Sequence, residues 1–182
     1  MKKHPDLPKN EVLDRFETAA GRDIPNYQEQ TVMDYGDMIS RRQRYTRLYR
    51  EGAASERTTT PTGIYNCHGF VFASARTGID GRDVRMILHD DGYTRVDNPE
   101  DTQPGDVVLY VGSRGDVEHS GILVKPARES LSSFAVIVSK WGNFTEWVHD
   151  LLACPYDASQ VEYWRITQRP RKPQPAPCLI QP

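Results

Sequence analysis

The chain has 182 residues, with 23 Lys and Arg side chains against 25 Asp and Glu. A chain of this length can bury the core of one domain without disulfide or metal support, and its charge balance gives no electrostatic basis for binding nucleic acid or an anionic membrane. The three cysteines, Cys67, Cys154 and Cys178, are widely spaced without a Cys-x-x-Cys pair, which argues against a disulfide framework or a zinc ribbon.

The N-terminal residues carry no signal for export or membrane insertion. The sequence Met1-Lys2-Lys3-His4-Pro5 has basic residues but no apolar run after them, and no stretch reaches transmembrane length. We therefore expect a cytoplasmic protein with no membrane partner, while delivery by a specialised secretion system would leave no mark in the sequence.

Two helices are predicted ahead of the first cysteine, at residues 10–20 and 27–49, where apolar residues recur at helical spacing. The end of the second helix carries five arginines: Arg41, Arg42, Arg44, Arg47 and Arg50. Such a cluster can bind nucleic acid or phosphate, but arginines near a helix C-terminus also complement the helix dipole and face water. We favour the second interpretation, and residues 51–62 are then a loop.

The segment Tyr65-Asn66-Cys67-His68-Gly69-Phe70 places a cysteine where a polar loop gives way to an apolar helical pattern. Unpaired backbone N–H groups and the positive dipole end at the start of a helix favour thiolate over thiol. Cys67 is therefore predicted to be a nucleophile. The alternative is a buried cysteine with a structural role only.

The second half of the chain is rich in β-forming residues. Four runs are separated by Gly, Ser and Pro and are spaced as antiparallel strands: residues 106–112, 117–124, 134–140 and 161–167. A short helix is predicted ahead of them at residues 82–89, and the five prolines within residues 169–182 predict a disordered or extended tail. We expect an α+β fold with N-terminal helices packed on a small antiparallel sheet, divided into a helical extension and loop (1–62), a core (63–168) and a tail (169–182).

His119 opens the second predicted strand and is the base best placed to take a proton from Cys67. An imidazole in that role needs a hydrogen-bond acceptor on its other nitrogen, which we expect from the next strand or turn. Asn143 has a suitable amide oxygen and is favoured as this third residue, with His149 as the competitor. Lys140 offers only donors and would orient the imidazole poorly.

Three motifs follow one another in a recognisable order: Asn66-Cys67-His68-Gly69-Phe70-Val71, then Gln103-Pro104-Gly105-Asp106, then His119-Ser120-Gly121-Ile122. Together they resemble the NlpC-type members of the papain-like cysteine peptidase and amidase superfamily. In that family a Cys-small-Gly motif starts the core helix, a Pro-Gly-Asp turn starts the first core strand, and His-x-Gly-Ile opens the second. The resemblance covers about residues 65–141 and implies a papain-like core with Cys67 as nucleophile and His119 as base.

The chain departs from this pattern at two places. The family usually has Asp-Cys-Ser at the nucleophile, whereas this chain has Asn66-Cys67-His68, and Ser139-Lys140-Trp141-Gly142 replaces the usual His-Ala type ending of the third strand. Substrate contacts are expected from Tyr65, Asn66, His68 and Trp141, although a buried aromatic beside the sheet is an alternative for Trp141. Neither a cofactor nor a metal is expected.

The implied reaction is hydrolysis of a peptide or isopeptide amide through a thioester on Cys67, with a peptide or protein as substrate. The same residues could instead transfer the acyl group to another acceptor or deamidate a side chain. A third hypothesis is an inactive papain-like module that binds a peptide, and a nucleic-acid role for residues 41–50 is the least favoured. The substrate itself is not identified by the sequence.

Overall fold

The computed structural model describes residues 9–11, 16–29, 33–48, 52–130, 134–156 and 159–167. The predicted tail at 169–182, Cys178 and Arg50 lie outside these residues, as do residues 12–15 of the first predicted helix.

Within the described residues the α-helices are α1 (Tyr35–Leu48), α2 (Cys67–Phe72) and α3 (Gly81–Asp90). The strands are β1 (Lys9–Glu11), β2 (Asn26–Glu29), β3 (Ala54–Glu56), β4 (Gly78–Ile79), β5 (Tyr93–Val96), β6 (Val107–Val111), β7 (Val117–Lys125), β8 (Val136–Lys140), β9 (Glu146–Asp150) and β10 (Gln160–Ile166). Single 3-10 turns occur at Pro99–Asp101 and Ala127–Glu129.

Seven strands form one antiparallel sheet in the order β3-β9-β8-β7-β6-β10-β5. Strands β6 to β9 are successive neighbours, and β10 returns to pair with β6 on its other side. The edges are β5, against β10, and β3, against β9. The segment before Cys67 therefore supplies an edge strand of the same sheet that carries His119.

Helices α2 and α3 lie on one face of this sheet, which we call the helix face. Alternate residues of β6, Val107 and Leu109, point to that face and pack with Val84 and Leu88 of α3. Val108 and Tyr110 point the other way, into a cluster completed by residues of three more strands and the segment after β9: Leu123, Ile137, Tyr163, Leu151 and Cys154. The sheet is thus buried on both faces.

A second antiparallel sheet has three strands in the order β1-β2-β4. It corrects two predictions. Residues 10 and 11 belong to strand β1 where a helix was predicted, and the helix predicted from residue 27 begins only at Tyr35, because residues 26–27 pair with β4 and residues 27–29 pair with β1. Strand pairing with a distant segment has overridden a local helical pattern.

The α+β class and four predicted strands are confirmed, as β6, β7, β8 and β10, and so is the helix at 82–89, as α3. The prediction of N-terminal helices on a small sheet is wrong, because the main sheet has seven strands and two of the three described helices follow residue 66. Strand β9 was not predicted. Among the described helices, none has the length and apolar character needed to cross a membrane.

The Pro-Gly-Asp turn ahead of β6 has a clear structural role. Gly105 has a φ of 95°, in the left-handed region that glycine adopts without strain. The buried carboxylate of Asp106 accepts two hydrogen bonds of 2.7 Å from the Arg165 guanidinium on β10 and one of 2.8 Å from the N–H of Gln103. The motif therefore fixes the start of β6 against β10.

Candidate active site

Asn66 fixes the point at which α2 begins. Its backbone is extended, and its Oδ1 accepts a hydrogen bond of 2.8 Å from the N–H of Gly69, as an N-cap does. Its Nδ2 donates to the Tyr27 hydroxyl at 3.0 Å and to the carbonyl of Ile79 at 2.7 Å. One amide side chain thus caps α2 and ties Cys67, the first residue of the helix, to both strands of the small sheet that lie beside it.

The glycines of the Cys-x-Gly and His-x-Gly motifs both permit close packing of backbone. A Cβ on Gly69 would overlap the carbonyl oxygen of Thr77, and a Cβ on Gly121 would lie 2.6 Å from Cγ2 of Ile137. Glycine at these positions lets α2 approach the residue before β4 and lets β8 approach β7. The two motifs are therefore needed for the packing that surrounds Cys67 and His119.

The Cys67 thiol is buried, with 5% of the residue exposed. Burial raises the pKa of the thiol to about 11, even though the backbone groups of Ser120, His68 and Cys67 and the Lys140 ammonium act to lower it. The sequence predicted that the helix start would favour the thiolate. That prediction is wrong for the structure as it stands, because loss of hydration outweighs the stabilising groups.

His119 is fully buried, and neither of its ring nitrogens has a hydrogen-bond partner within the described part of the chain. Its ring stacks on that of Tyr156, with centroids 4.1 Å apart and planes at 8°. Burial holds the pKa of His119 well below its usual range, and nearby His149 and His68 lower it further. The imidazole is therefore neutral at pH 7.

The thiol lies at the level of the main sheet, beside the backbone of His119. Pairing between β7 and β8 ends at Gly121 and Ser139, so that Ser120 pairs with β6 alone, and the N–H of Ser120 donates to the sulfur of Cys67. The Ser120 side chain points to the helix face, where its Oγ meets Nδ1 of His68 at 2.9 Å. The side chain of His119, one residue earlier, points to the opposite face. Helix α2 and the His119 imidazole thus lie on opposite faces of the sheet, and the Cys67 sulfur makes no hydrogen bond to either imidazole nitrogen.

Neither candidate for the third residue contacts His119. Oδ1 of Asn143 accepts a hydrogen bond of 3.1 Å from Arg41 of α1. His149 is buried with Nε2 at 2.8 Å from Oγ of Ser139 and Nδ1 at 2.9 Å from the carbonyl oxygen of Asp150. Burial lowers its pKa to about 4. His149 therefore lies near His119, but the side chains of Asn143 and His149 both form hydrogen bonds with other groups.

The four residues predicted to contact substrate divide into two pairs. Tyr65 and Asn66 are half-buried on the segment that leads into α2, and the Tyr65 hydroxyl donates to Glu146 at 2.7 Å. His68 is buried against Ser120, and burial lowers its pKa to about 4. Trp141 is 1% exposed and stacks on Trp147 with centroids 4.4 Å apart. Only the first pair is placed to meet a ligand without rearrangement.

Sequence reasoning missed Tyr156 and the role of Lys140. Tyr156 follows β9 on a segment without regular structure, and nothing in its local sequence links it to His119. Lys140 was considered only as a partner for the imidazole, whereas its ammonium donates to three backbone carbonyls. A lysine at a position where the β8 pattern places buried residues was the signal that could have identified it.

The site is closed. A cavity of about 550 Å³ lies at the start of α3, lined by Asp80, Gly81, Arg82, Arg85, Gly115, Asp116 and Val117, and not by Cys67 or His119. In the described ranges, no group of three or more His, Cys, Asp or Glu side chains is arranged to hold a metal ion. Comparison of the chain with protein families, with curated proteins and with solved structures gives no match.

Proposed function

We propose that the protein is a cysteine hydrolase that cleaves a peptide or isopeptide amide, with Cys67 as nucleophile and His119 as base. One observation carries the proposal. His119 is a fully buried imidazole whose nitrogens have no hydrogen-bond partner within the described residues, and the backbone of the next residue, Ser120, lies close enough to Cys67 to lower the pKa of its thiol. Leaving a buried polar group unpaired costs about 1–3 kcal/mol, and such groups are rare in native proteins. An unpaired buried polar group is tolerated where another state of the molecule supplies its hydrogen-bond partners. In the open, substrate-bound state the thiol and the substrate would supply partners for the nitrogens of His119.

The proposed reaction has two half-reactions. His119 takes the thiol proton as the Cys67 sulfur attacks the carbonyl carbon, and the resulting imidazolium gives that proton to the leaving amine as the C–N bond breaks. The product of this step is a thioester on Cys67. Water then attacks the thioester with His119 as base, which releases the acid and restores the thiol. The N–H of Cys67 is the donor available to the oxyanion. No cofactor enters these steps.

The closed site must open before this chemistry can begin. In the closed state burial favours a neutral thiol with a pKa of about 11 and a neutral imidazole. Displacement of Tyr156 would hydrate both groups, which lowers the pKa of the thiol and raises that of the imidazole. Both changes favour the thiolate–imidazolium pair that the first step requires.

The topology supports a papain-like core as part of this proposal. Helix α2 begins at the cysteine and packs on an antiparallel sheet, β6 follows a Pro-Gly-Asp turn, and β7 carries the histidine. Acyl transfer and deamidation use the same two residues and differ only in the acceptor or in the bond attacked. The products of the reaction separate these possibilities.

An inactive peptide-binding module is a second candidate, and a specific observation favours it. Burial holds the pKa of the Cys67 thiol above its ordinary value, which is the condition of a structural cysteine. In this case the half-buried Tyr65 and the exposed Ile64 ahead of α2 would contact a peptide that is never cleaved.

Acylation by p-nitrophenyl acetate tests the proposal. A hydrolase should release nitrophenolate repeatedly, with a transient acetyl group on Cys67 visible by intact-mass spectrometry, and C67A should show neither. C154S, which removes a half-buried cysteine that the mechanism does not use, is the matched control and should behave as the unmodified chain does. Added glycinamide should yield acetylglycinamide only if the enzyme transfers acyl groups. Acetylation that is equal in C67A would overturn the proposal and leave the binding module.

A further inference from the structure

Lys140 is a lysine whose side chain is entirely buried and fully hydrogen-bonded. It is the last residue of β8 and is 0% exposed. Its Nζ donates to the carbonyl oxygens of Thr62 at 2.8 Å, Gly142 at 2.8 Å and Phe144 at 3.0 Å. Three acceptors satisfy all three N–H bonds of an ammonium, so the geometry is that of a protonated lysine. Burying such a charge is costly unless it is paired and hydrogen-bonded in this way.

The acceptors of Lys140 belong to two separate segments beside the nucleophile. Gly142 and Phe144 lie in the turn between β8 and β9. Thr62 begins what we call the approach segment, residues 62–66, which ends at the N-cap of α2. The ammonium also lies 5.1 Å from the centre of the Tyr65 ring, in the middle of the same segment. One side chain therefore ties the residues that lead into Cys67 to the turn at the end of the sheet.

We propose that Lys140 is a positioning residue for Cys67, which holds the approach segment against the β8–β9 turn and places a buried positive charge on the face of the sheet where α2 packs. The inference rests on the proposed function, because it assigns Lys140 to the same nucleophile. Lys140 touches neither substrate nor the reacting atoms in the proposed steps, and it acts through the position and charge state of the thiol.

The charges around the two groups agree with this role. Lys140 lies on the helix face of β8, opposite Glu146 of β9, and it lowers the pKa of the thiol. Burial lowers the pKa of Lys140 itself to about 8, with Glu146, Cys67 and Glu29 acting to raise it, so the ammonium is charged at pH 7. The other ionisable groups that interact with Cys67 come from β2, from α2 itself and from the segment after β9: Tyr27, His68, Tyr156 and Cys154. None of these carries a positive charge at pH 7 in the closed state.

The test is the pH dependence of Cys67 alkylation by iodoacetamide in K140M and K140R, both in a chain with Cys154 and Cys178 replaced by Ser. Methionine approximates the apolar stem of lysine as far as Cε but removes the ammonium with its charge and donors, and arginine keeps the charge. The matched control is K125M, which makes the same substitution at a half-exposed lysine at the far end of β7. Near-ultraviolet circular dichroism reports whether the buried tryptophans keep their packing.

We expect K140M to move the alkylation profile to higher pH, with a rate at pH 7 about tenfold lower for each unit of displacement. K140R and K125M should keep the profile of the parent chain. A folded K140M with an unmoved profile, or with a profile moved to lower pH, would overturn the inference. If K140M does not fold, K140Q carries the same test, because its amide can still donate to two of the three carbonyls.

The outcome is separate from that of the proposed function. If the alkylation rate of Cys67 in the parent chain does not depend on His119, the proposed function is wrong, whatever the effect of Lys140. If the rate depends on His119 but the pH profile is the same in K140M, only the inference about Lys140 is wrong. A merely structural lysine would lower the stability of K140M to urea without displacing the pH profile.

Discussion

Asn66 explains, at the scale of one residue, why this chain lacks the aspartate that the resembled family places before its nucleophile. The side chain accepts from the N–H groups of Gly69 and Ile79 through Oδ1, and it donates through Nδ2 to Tyr27 and to the Ile79 carbonyl. An aspartate could make the first two hydrogen bonds only. Its second oxygen would face the carbonyl of Ile79 at close range, and its charge would lie beside the Cys67 thiol.

We therefore predict that N66D lowers the free energy of unfolding by about 1–3 kcal/mol, the cost of leaving a buried polar partner unpaired. The measurement is urea unfolding at pH 7. N98D is the control, because Asn98 caps a 3-10 turn through Oδ1 in the same way but is exposed. Equal stability of N66D and N98D would show that the donor side of Asn66 contributes nothing.

At the scale of an element, the segment between β9 and β10 covers the candidate active site. It carries Tyr156, whose ring covers His119, and Leu152, which is 71% exposed. The Tyr156 hydroxyl lies close to Gly142, in the turn that Lys140 also binds. The Tyr156 ring and the tilted ring of Tyr110, whose centroid is 5.5 Å away, both help to bury the imidazole.

We predict that Y156A raises the rate of Cys67 alkylation at pH 7 severalfold, because both groups of the pair gain hydration and the imidazole recovers its ordinary pKa. Y156F should change the rate little, since the stack remains. L152A, a smaller truncation of an exposed side chain on the same segment, is the control. A rate in Y156A no higher than in L152A would mean that Tyr156 does not limit access.

Three buried histidines, His68, His119 and His149, make the whole molecule sensitive to acid. Burial lowers the pKa of each, to about 4 for His68 and His149, whereas the unfolded chain binds these protons near pH 6.5. Between pH 6.5 and 4 the unfolded state therefore binds more protons. The contribution of the three neutral histidines to the free energy of unfolding is complete above pH 6.5, and it is lost as the pH falls from 6.5 to 4.

We predict that the free energy of unfolding is nearly constant from pH 8 to 7 and then falls by up to about 1.4 kcal/mol per pH unit for each of the three histidines. Urea titrations at half-unit intervals measure this slope. H149Q should reduce the slope by one histidine's share. A flat profile down to pH 5 would contradict the assignment of these side chains as buried and neutral.

The parts of the fold that the sequence predicts are those with a strong local pattern. Strand β6 is a run of five apolar β-formers after a Pro-Gly-Asp turn, and α3 has a clear amphipathic period, so both were found. Residues 26–29 form a strand through pairing with β4 and β1, which no local pattern indicates. Strand β9, Glu146–Asp150, forms a hairpin with β8, but its residues Glu146, His149 and Asp150 are polar and nevertheless buried, so its composition does not indicate a strand of the core.

The same distinction applies to the site. Cys67 and His119 were proposed from motif order, and the structure brings the cysteine against the N–H that follows the histidine. Lys140 binds a carbonyl 78 residues away, and Tyr156 stacks on a ring from another strand. These contacts depend on how the chain folds back, so the sequence could suggest the pair but not what covers and holds it.

The measurement that bears most directly on the Cys67–His119 pair is the alkylation rate of Cys67 from pH 5 to 11 in the C154S/C178S chain, compared with H119A and with H89A as the matched exposed histidine. The account predicts a His119-dependent rate that is already present near neutral pH and is lost in H119A, with H89A unchanged. A rate that rises only toward pH 11 and is the same in all three proteins would contradict it, and Cys67 would then be a buried structural cysteine.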